Sequence, residues 1–347
     1  MATLSYHEQK DIENIKKLRE LQKELPSFCS DFFRGIETST STRTRIAYAY
    51  DLKIFFQFLK TANPGTFGNP SHTLTPSDLE KLTVTDLEEY IDYLKCHPSD
   101  TNEDVINTER GLMRKVSSLR SFYSYFFRNE RIEKNPAALV RMPKLHEKEI
   151  IRLEVAKLLD EVEEGDKLTE KQKLYHERTK VRDLAMMSLL LGTGIRVSEC
   201  VGLNINDIDL DTCGARVYRK GGKESVIYFS DEVRDVLEDY LDEREMIDAV
   251  PGNEDALFLS MQRTRINVRS VENPVKKYAK LVTPLKKITP HKLRSTYGTS
   301  LYRETGDIYL VASVLGHNDV NTTRKHYAAQ EEERRRSARN VVRLRES

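Results

Sequence analysis

The sequence has few of the features that several protein classes require. Its four cysteines, Cys29, Cys96, Cys200 and Cys213, are far apart, with no C-x-x-C pair and no histidine at zinc-ligand spacing. We therefore expect reduced, mostly buried thiols and neither a disulfide nor a bound metal. No apolar run approaches the roughly 18 residues of a membrane span, and the polar N-terminal residues lack a signal-peptide core. These absences exclude the membrane and secreted classes and predict a cytoplasmic protein.

A strong net charge is also absent. The 56 Lys and Arg residues against 55 Asp and Glu give a formal charge of +1, so net charge alone does not indicate a polyanionic partner. Charged residues still make up 32% of the chain, and their signs are unevenly distributed. Residues 281–347 are locally basic, with thirteen Lys or Arg and seven Asp or Glu. At roughly 100–200 residues per domain, the length of 347 residues predicts two domains.

Helical periodicity dominates the sequence. It predicts helices over residues 7–25, 46–59, 77–82, 84–95, 105–129, 153–162 and 184–191. A loop rich in Pro and Gly interrupts the pattern at 61–76, and a charged insertion occupies 163–182. Residues 145–149 follow two prolines and have no apolar pattern, so we expect the interdomain linker there.

The predicted helix over residues 105–129 has two distinct faces. One face carries an apolar stripe of Leu112, Val116, Leu119, Tyr123 and Phe126. Another face carries Arg110, Arg114, Ser117 and Ser121. Arg and Ser are frequent donors to DNA backbone oxygens, so this face either contacts phosphates or is a solvated outer surface. Eight Lys or Arg against five Asp or Glu in residues 101–142 favour DNA only weakly.

Two segments place an arginine beside a helix N-terminus, where free backbone N–H groups favour an anion. In the first, Gly192 and Gly194 end one helix and Arg196 begins the next, with Glu199 three residues later in a position to hold the guanidinium. In the second, Thr289 and Pro290 suit the N-cap and first helical positions, so His291 and Arg294 share one face of the opening turns. Each pair could instead be an ordinary surface feature.

Two further segments present a lysine pair and a histidine at fixed points. Gly221 and Gly222 lie between two β-rich runs, which predicts a hairpin with Lys220 and Lys223 at its tip. Asp307 is expected to cap a short helix that Gly316 ends, so the backbone geometry fixes His317. Tyr327 lies ten residues later in a basic neighbourhood.

Taken together, these two arginines, two histidines, one lysine and one tyrosine suit phosphoryl transfer without a metal. Cationic side chains neutralise the charge that develops on phosphorus, a tyrosine hydroxyl attacks, and a lysine protonates the departing oxygen. The sequence has no GxxxxGK[ST] nucleotide loop.

The order of these motifs resembles that of the tyrosine recombinase/integrase family, and the Xer-type recombinases in particular. The similarity is carried by GTGIRVSECVGL at 192–203, RKGGKE at 219–224, TPHKLRST at 289–296 and LGHNDVNTTRKHY at 315–327. A weaker similarity covers residues 112–144. The spacing of ten between His317 and Tyr327 is one longer than in many Xer proteins.

The resemblance implies a role for each residue. Tyr327 would be the nucleophile that forms a 3′-phosphotyrosine, and Arg196, Arg294 and His317 would hold the scissile phosphate. His291 would assist proton movement, Lys220 would be the general acid with Lys223 as its alternative, and Glu199 would support Arg196. No cofactor is implied, because the phosphotyrosine conserves the energy of the cleaved bond.

The resemblance also implies a mainly α fold that forms a C-shaped clamp on duplex DNA. The expected parts are an N-terminal helical extension (1–25), an all-helical core-binding domain (26–144), the linker (145–149), a mostly helical catalytic domain with a small antiparallel sheet (150–330) and a tail exchanged between protomers (331–347). Four protomers would act on two specific sites through a Holliday junction, alone or with a paralogue. The alternatives are a type IB topoisomerase-like enzyme and a DNA-binding architectural or regulatory protein.

Overall fold

We describe a computed structural model of this chain, and most of the residues that it describes are helical. The structure describes residues 6–69, 72–98, 103–142, 155–219, 223–284, 287–317 and 320. The chain divides into two units, Met1–Lys148 and Glu149–Ser347. The domain boundaries expected from the sequence at residues 25, 144, 149 and 330 stay predictions.

In the part of the first unit that the structure describes, the regular elements are helices and one pair of short strands. Its elements are α1 (Tyr6–Lys23), α2 (Cys29–Gly35), α3 (Thr42–Ala62), α4 (Val84–Lys95), β1 (Cys96–Pro98), β2 (Asp104–Ile106) and α5 (Glu109–Arg128), with 3₁₀ turns at Pro76–Lys81 and Pro136–Ala138. The apolar stripe predicted for α5 faces the core, where Phe122 packs edge-on against Phe32 with ring centroids 5.2 Å apart. The helix predicted as an N-terminal extension is part of the same core, since Leu18, Leu21 and Leu25 are buried in it.

The strand pair corrects two expectations. The N-terminal half was predicted to be all-helical with a helix beginning at Val105, but β2 pairs antiparallel with β1 and places Val105 opposite His97. Helix α5 begins only at Glu109, where the Thr108 side chain accepts a hydrogen bond from the Gly111 N–H at 3.3 Å. The physical reason is that adjacent β-branched residues favour a strand and that Thr108 provides the true N-cap.

The second unit combines helices with a three-stranded antiparallel sheet, in agreement with the small antiparallel sheet that the resemblance implies. Its elements are α6 (Val155–Glu164), α7 (Glu170–His176), α8 (Lys180–Thr193), α9 (Val197–Cys200), β3 (Ile208–Asp209), β4 (Gly214–Tyr218), β5 (Glu224–Tyr228), α10 (Asp231–Glu245), α11 (Val268–Val282), α12 (Pro290–Thr305) and α13 (Ile308–Leu315), with a 3₁₀ turn at Ile205–Asp207. Strand β4 lies between β3 and β5 and pairs Tyr218 with Glu224 at the end of the hairpin.

Helix α8 is the centre of this unit. Ala185, Met186, Met187, Leu189 and Leu190 are all fully buried, because α6, α10 and α12 pack around the helix. A helix that is apolar on every side is expected to be buried in this way. The C-terminal end of α8 therefore has a fixed position, and the residues that follow it begin the candidate site.

The cysteines follow the expectation only in part. All four are free thiols, and Cys29 and Cys200 are buried. Burial raises the pKa of the Cys200 thiol to about 12. Cys213 is half-buried and Cys96 is exposed, so the expectation of mostly buried thiols is wrong for these two. Among the described helices, none has the length and apolar character needed to cross a membrane.

Candidate active site

Gly194 positions the first arginine of the site. The prediction that Gly192 helps to end the helix is wrong, because α8 continues through it to Thr193. Gly194 alone adopts the left-handed conformation there, with φ +63°. A Cβ atom at this position would lie 2.6 Å from Cδ1 of Tyr297 and 2.9 Å from Cδ2 of Leu315. Both the backbone conformation and the close packing therefore require glycine. The chain then turns so that Arg196 becomes the N-cap residue of α9.

Glu199 holds Arg196 from two sides, as the spacing of three predicted. Nη1 of Arg196 donates to Oε1 of Glu199 at 2.7 Å, and the Arg196 backbone N–H donates to Oε2 at 3.0 Å. The carboxylate is almost buried, with 6% of its side chain exposed, whereas the Arg196 side chain is 35% exposed. Nη2 of Arg196 donates to the Gly316 carbonyl at 2.9 Å. Two bonds of the guanidinium and one of the backbone N–H thus orient Arg196, while part of its side chain faces solvent.

Arg294 joins two segments through backbone carbonyls. It lies on the second turn of α12, which begins at Pro290 after Thr289. Nη1 donates to the Gly194 carbonyl at 2.5 Å, and Nη2 donates to the Leu315 carbonyl. With only 6% of its surface exposed, Arg294 connects the end of α8 to the end of α13.

Helix α13 presents His317 from a rigid C-terminus. Oδ1 of Asp307 accepts the N–H groups of Tyr309 and Leu310 at 2.8 and 3.0 Å, which confirms the predicted N-cap. At the other end the N–H groups of Gly316 and His317 donate to the carbonyls of Ser313 and Ala312, with Gly316 at φ +59°. This is the Schellman arrangement, and it fixes the backbone of His317.

Three arginines bind consecutive carbonyls at this helix end. Arg219 Nη2 donates to Val314 at 3.0 Å, Arg294 donates to Leu315, and Arg196 donates to Gly316. The last carbonyls of a helix have no partner within the helix and carry partial negative charge. They therefore offset the repulsion between guanidinium groups that lie close together. Sequence reasoning did not identify Arg219 as a site residue, although it precedes Lys220 directly.

A cavity of about 410 Å³ opens where these segments meet. Its lining consists of Ile195, Arg196, Val197, Ser198, Pro290, His291, Arg294 and His317. Four of the six predicted catalytic residues thus lie around one space, although they come from three separate segments. The other two, Lys220 and Tyr327, lie outside the described residues. Lys223 is exposed, and its carbonyl accepts the Arg219 N–H at 2.8 Å.

The predicted DNA-contacting face of α5 is only partly available. Arg110 is exposed and Ser121 is half-buried. Arg114 already forms an ion pair with Asp51, which is 2% exposed, and burial raises the pKa of Asp51 while Arg114 and Lys115 oppose that shift. Ser117 donates its hydroxyl to the carbonyl of Met113 at 2.8 Å. Arg114 and Ser117 therefore have structural contacts that the helical pattern did not reveal.

Residues 154–334 match the model of the phage integrase family, which is more than half of the chain. The tyrosine recombinase XerC of Caldanaerobacter subterraneus subsp. tengcongensis is 35% identical over 312 residues, which cover 86% of this chain and 82% of that protein. This chain belongs to the phage integrase family of tyrosine recombinases. The resemblance that its motifs suggested is therefore confirmed.

Two further comparisons, one of sequence and one of fold, cover most of this chain. The tyrosine recombinase XerS of Streptococcus uberis is 31% identical over 338 residues, covering 89% of this chain and 93% of that protein. The fold is similar to that of the Tn1549 transposon integrase, solved in complex with transposon right end DNA. That comparison has a TM-score of 0.62 at 18% identity and covers 90% of this chain and 99% of the other. The predicted mainly helical fold class is thus confirmed.

Proposed function

We propose that this protein is a site-specific DNA recombinase that cleaves and rejoins duplex DNA through a 3′-phosphotyrosine. The observation that carries the proposal is the convergence of Arg196, His291, Arg294 and His317 on one cavity. Two guanidiniums and two imidazoles around a common space suit a phosphodiester, whose negative charge grows during substitution at phosphorus. Membership of the tyrosine recombinase family supports the same activity.

In the proposed reaction, the hydroxyl of Tyr327 attacks the scissile phosphorus. The Oη–P bond forms while the P–O5′ bond breaks, and Lys220 gives a proton to the departing 5′ oxygen. Arg196 and Arg294 stabilise the charge on the nonbridging oxygens, His317 holds the phosphate, and His291 assists proton movement. The reverse reaction with a 5′-hydroxyl from another strand rejoins the DNA, so no cofactor is consumed.

The substrate and the assembly follow from the same proposal. The protein would form a C-shaped clamp on a specific duplex site, and four protomers would act on two sites through a Holliday junction. A paralogous recombinase could take the place of two protomers, and residues 331–347 would pack on a neighbouring protomer. Action on chromosomal or mobile DNA implies a cytoplasmic location. Resolution, inversion and integration or excision share this chemistry.

The decisive test is covalent trapping on DNA. A binding site is first selected from genomic fragments, and a duplex carrying that site is nicked beside the cleavage position so that a short fragment is lost after cleavage. With chelator present, we expect a covalent protein–DNA adduct that resists denaturation and in which the DNA is attached to Tyr327. Tyr327→Phe should abolish the adduct and bind the same duplex equally well. Tight binding of the wild-type protein without any adduct would favour the architectural or regulatory alternative.

A further inference from the structure

Arg219 is a basic residue next to the candidate site to which the proposed function gives no role. It follows β4 directly, and its side chain reaches the C-terminal end of α13. Nη1 donates to the Ser313 carbonyl at 3.3 Å and Nη2 donates to the Val314 carbonyl at 3.0 Å. These contacts join residues that are 94 and 95 positions apart in the sequence. They connect the β4–β5 hairpin to the helix that presents His317.

The contact between Arg219 and α13 is tightly packed. A Cβ atom on Gly316 would overlap Nη1 and Cζ of Arg219, and it would lie 2.9 Å from Nε. Nε is buried and has no hydrogen-bond partner among the described residues. A buried N–H without a partner is unfavourable, so the guanidinium is held in place by its other contacts and by the shape of the site.

The backbone of Arg219 also closes the hairpin. Its N–H donates to the Lys223 carbonyl at 2.8 Å, next to the pairing of Tyr218 with Glu224. Lys220, the proposed general acid, directly follows Arg219 in the sequence. Lys223, the alternative general acid, accepts the backbone hydrogen bond of Arg219 across the hairpin. Whichever lysine donates the proton, the side chain of Arg219 attaches the end of the strand next to that lysine to α13.

We propose that Arg219 is a positioning residue that holds the turn end of the β4–β5 hairpin, where the two lysines lie in the sequence, against the C-terminal end of α13 that leads to His317. The inference rests on the proposed function. It differs from a phosphate-binding role because Arg196 and Arg294 line the cavity and Arg219 does not. Both Nη atoms of Arg219 are directed at carbonyls of α13.

The surroundings of Arg219 agree with this position beside the charged groups of the site. Burial lowers the pKa of Arg219, Arg196 lowers it further, and Glu199 opposes the shift. Arg219 is therefore close enough to the Arg196–Glu199 pair to interact with it. A displacement of the Arg219 side chain would therefore change the position of the hairpin and the charge beside the cavity.

A change of leaving group provides the test. In a substrate with sulfur in place of the bridging 5′ oxygen, the Oη–P bond forms, the P–S bond breaks and sulfur departs as a thiolate. A thiolate needs no proton to leave, because an ordinary thiol has a pKa of about 8.5. Single-turnover cleavage of oxygen and sulfur substrates is compared for the wild type, Lys220→Ala, Arg219→Ala and Arg219→Lys. Arg216→Ala is the matched control, since Arg216 is an exposed arginine on β4, the strand that Arg219 follows.

We expect Arg219→Ala to cleave the oxygen substrate about 100-fold more slowly, the effect of misplacing a catalytic group by about 1 Å. On the sulfur substrate Arg219→Ala and Lys220→Ala should both approach the wild-type rate. Arg219→Lys should recover little, because a single ammonium cannot bind both carbonyls in the same way. Arg216→Ala should match the wild type on both substrates. Equal losses for Arg219→Ala on the two substrates, or no loss on oxygen, would overturn the proposal.

A second measurement does not depend on catalysis. In hydrogen exchange, Arg219→Ala should increase deuterium uptake in both strands of the hairpin and in residues 313–317, while Arg216→Ala should not. Unchanged deuterium uptake in Arg219→Ala would refute the proposal that Arg219 couples the hairpin to α13. If the wild-type protein cleaves neither substrate, the proposed function fails, and hydrogen exchange alone decides whether Arg219 joins the two elements.

A compensating pair adds an internal control against simple misfolding. Gly316→Ala should reduce cleavage of the oxygen substrate because its new methyl group meets the guanidinium of Arg219. Removing that guanidinium in Gly316→Ala/Arg219→Ala removes the overlap, so the double variant should lose less than the product of the two single effects. Multiplicative losses would contradict a direct contact between these residues.

Discussion

Replacement of Arg294 tests the candidate site most directly, because this residue has both a structural and a chemical role. Its guanidinium is almost buried and donates to the carbonyls of Gly194 and Leu315. Arg294→Ala leaves both carbonyls without their donor and removes one cation from the cavity. Arg294→Lys is the matched control, since it keeps the charge but cannot reproduce two bonds in fork geometry.

The expected magnitudes follow from these contacts. Each buried carbonyl that loses its donor costs about 1–3 kcal/mol, and water entering the vacated space recovers part of this. We therefore expect Arg294→Ala to lower the free energy of unfolding by about 3 kcal/mol. In a unit of this size each kcal/mol shifts the melting temperature by about 2–4 °C, which gives a decrease of about 6–12 °C. Loss of a preorganised charge stabiliser should also slow cleavage by about 10²–10³-fold.

Thermal unfolding and single-turnover cleavage of the nicked duplex at 20 °C separate the two effects. At that temperature both variants should remain folded, so a slower reaction reports on the chemistry. Arg294→Lys should show about half of the loss of stability and an intermediate rate. A melting temperature within 1 °C of the wild type would refute the structural argument. A low melting temperature with an unchanged cleavage rate would refute the phosphate-binding role.

Three other predictions address the support of Arg196, the DNA interface and the pH dependence of stability. Glu199→Gln keeps one acceptor for Arg196 and should slow cleavage about 10-fold, whereas Glu199→Ala should slow it about 100-fold. Equal cleavage rates for both variants and the wild type would refute the role of Glu199 in holding Arg196. Duplex affinity, measured by fluorescence anisotropy between 50 and 200 mM salt, should fall by about 10³-fold or more, and a flat dependence would contradict phosphate contacts. Burial lowers the pKa of His176, so its folded state favours the neutral ring. The unfolded state therefore binds more protons as the pH falls below about 6.5, and stability in denaturant should decrease there, less so in His176→Gln.

The parts of the site that depend on local backbone chemistry could be predicted from the sequence. Glycine after a helix, an arginine three residues before a glutamate, and an aspartate at an N-cap each have a short-range physical signature. The contacts of Gly194, Arg196 with Glu199, and Asp307 follow that signature. Membership of the family also followed from the order of such short motifs.

The parts that depend on tertiary packing could not be predicted in this way. Nothing local to Arg219 indicates that its partners lie 94 and 95 residues away. The ion pair of Arg114 with Asp51 spans 63 residues, so the helical pattern of α5 could not show that this exposed arginine already has a partner. The strand pair β1–β2 was missed because Val105 lies seven residues before Leu112 and so extends the helical spacing upstream of Thr108. Three-residue strands also leave little pattern in a sequence.

The geometry at the end of α13 explains how several cations can be held together before DNA binds. Neighbouring guanidinium groups repel one another. The guanidiniums of Arg196, Arg219 and Arg294, however, each donate to a different carbonyl of the same helix end. Arginine has five N–H groups, and the side-chain bonds described for Arg196 use one on each Nη atom. The remaining donors of Arg196 can bind a phosphate without breaking the bonds that orient it. His317 follows the same helix end and lines the same cavity as Arg196 and Arg294. In the proposed function, a phosphate held by the two arginines would therefore lie beside its imidazole, and little reorganisation would be needed when charge develops.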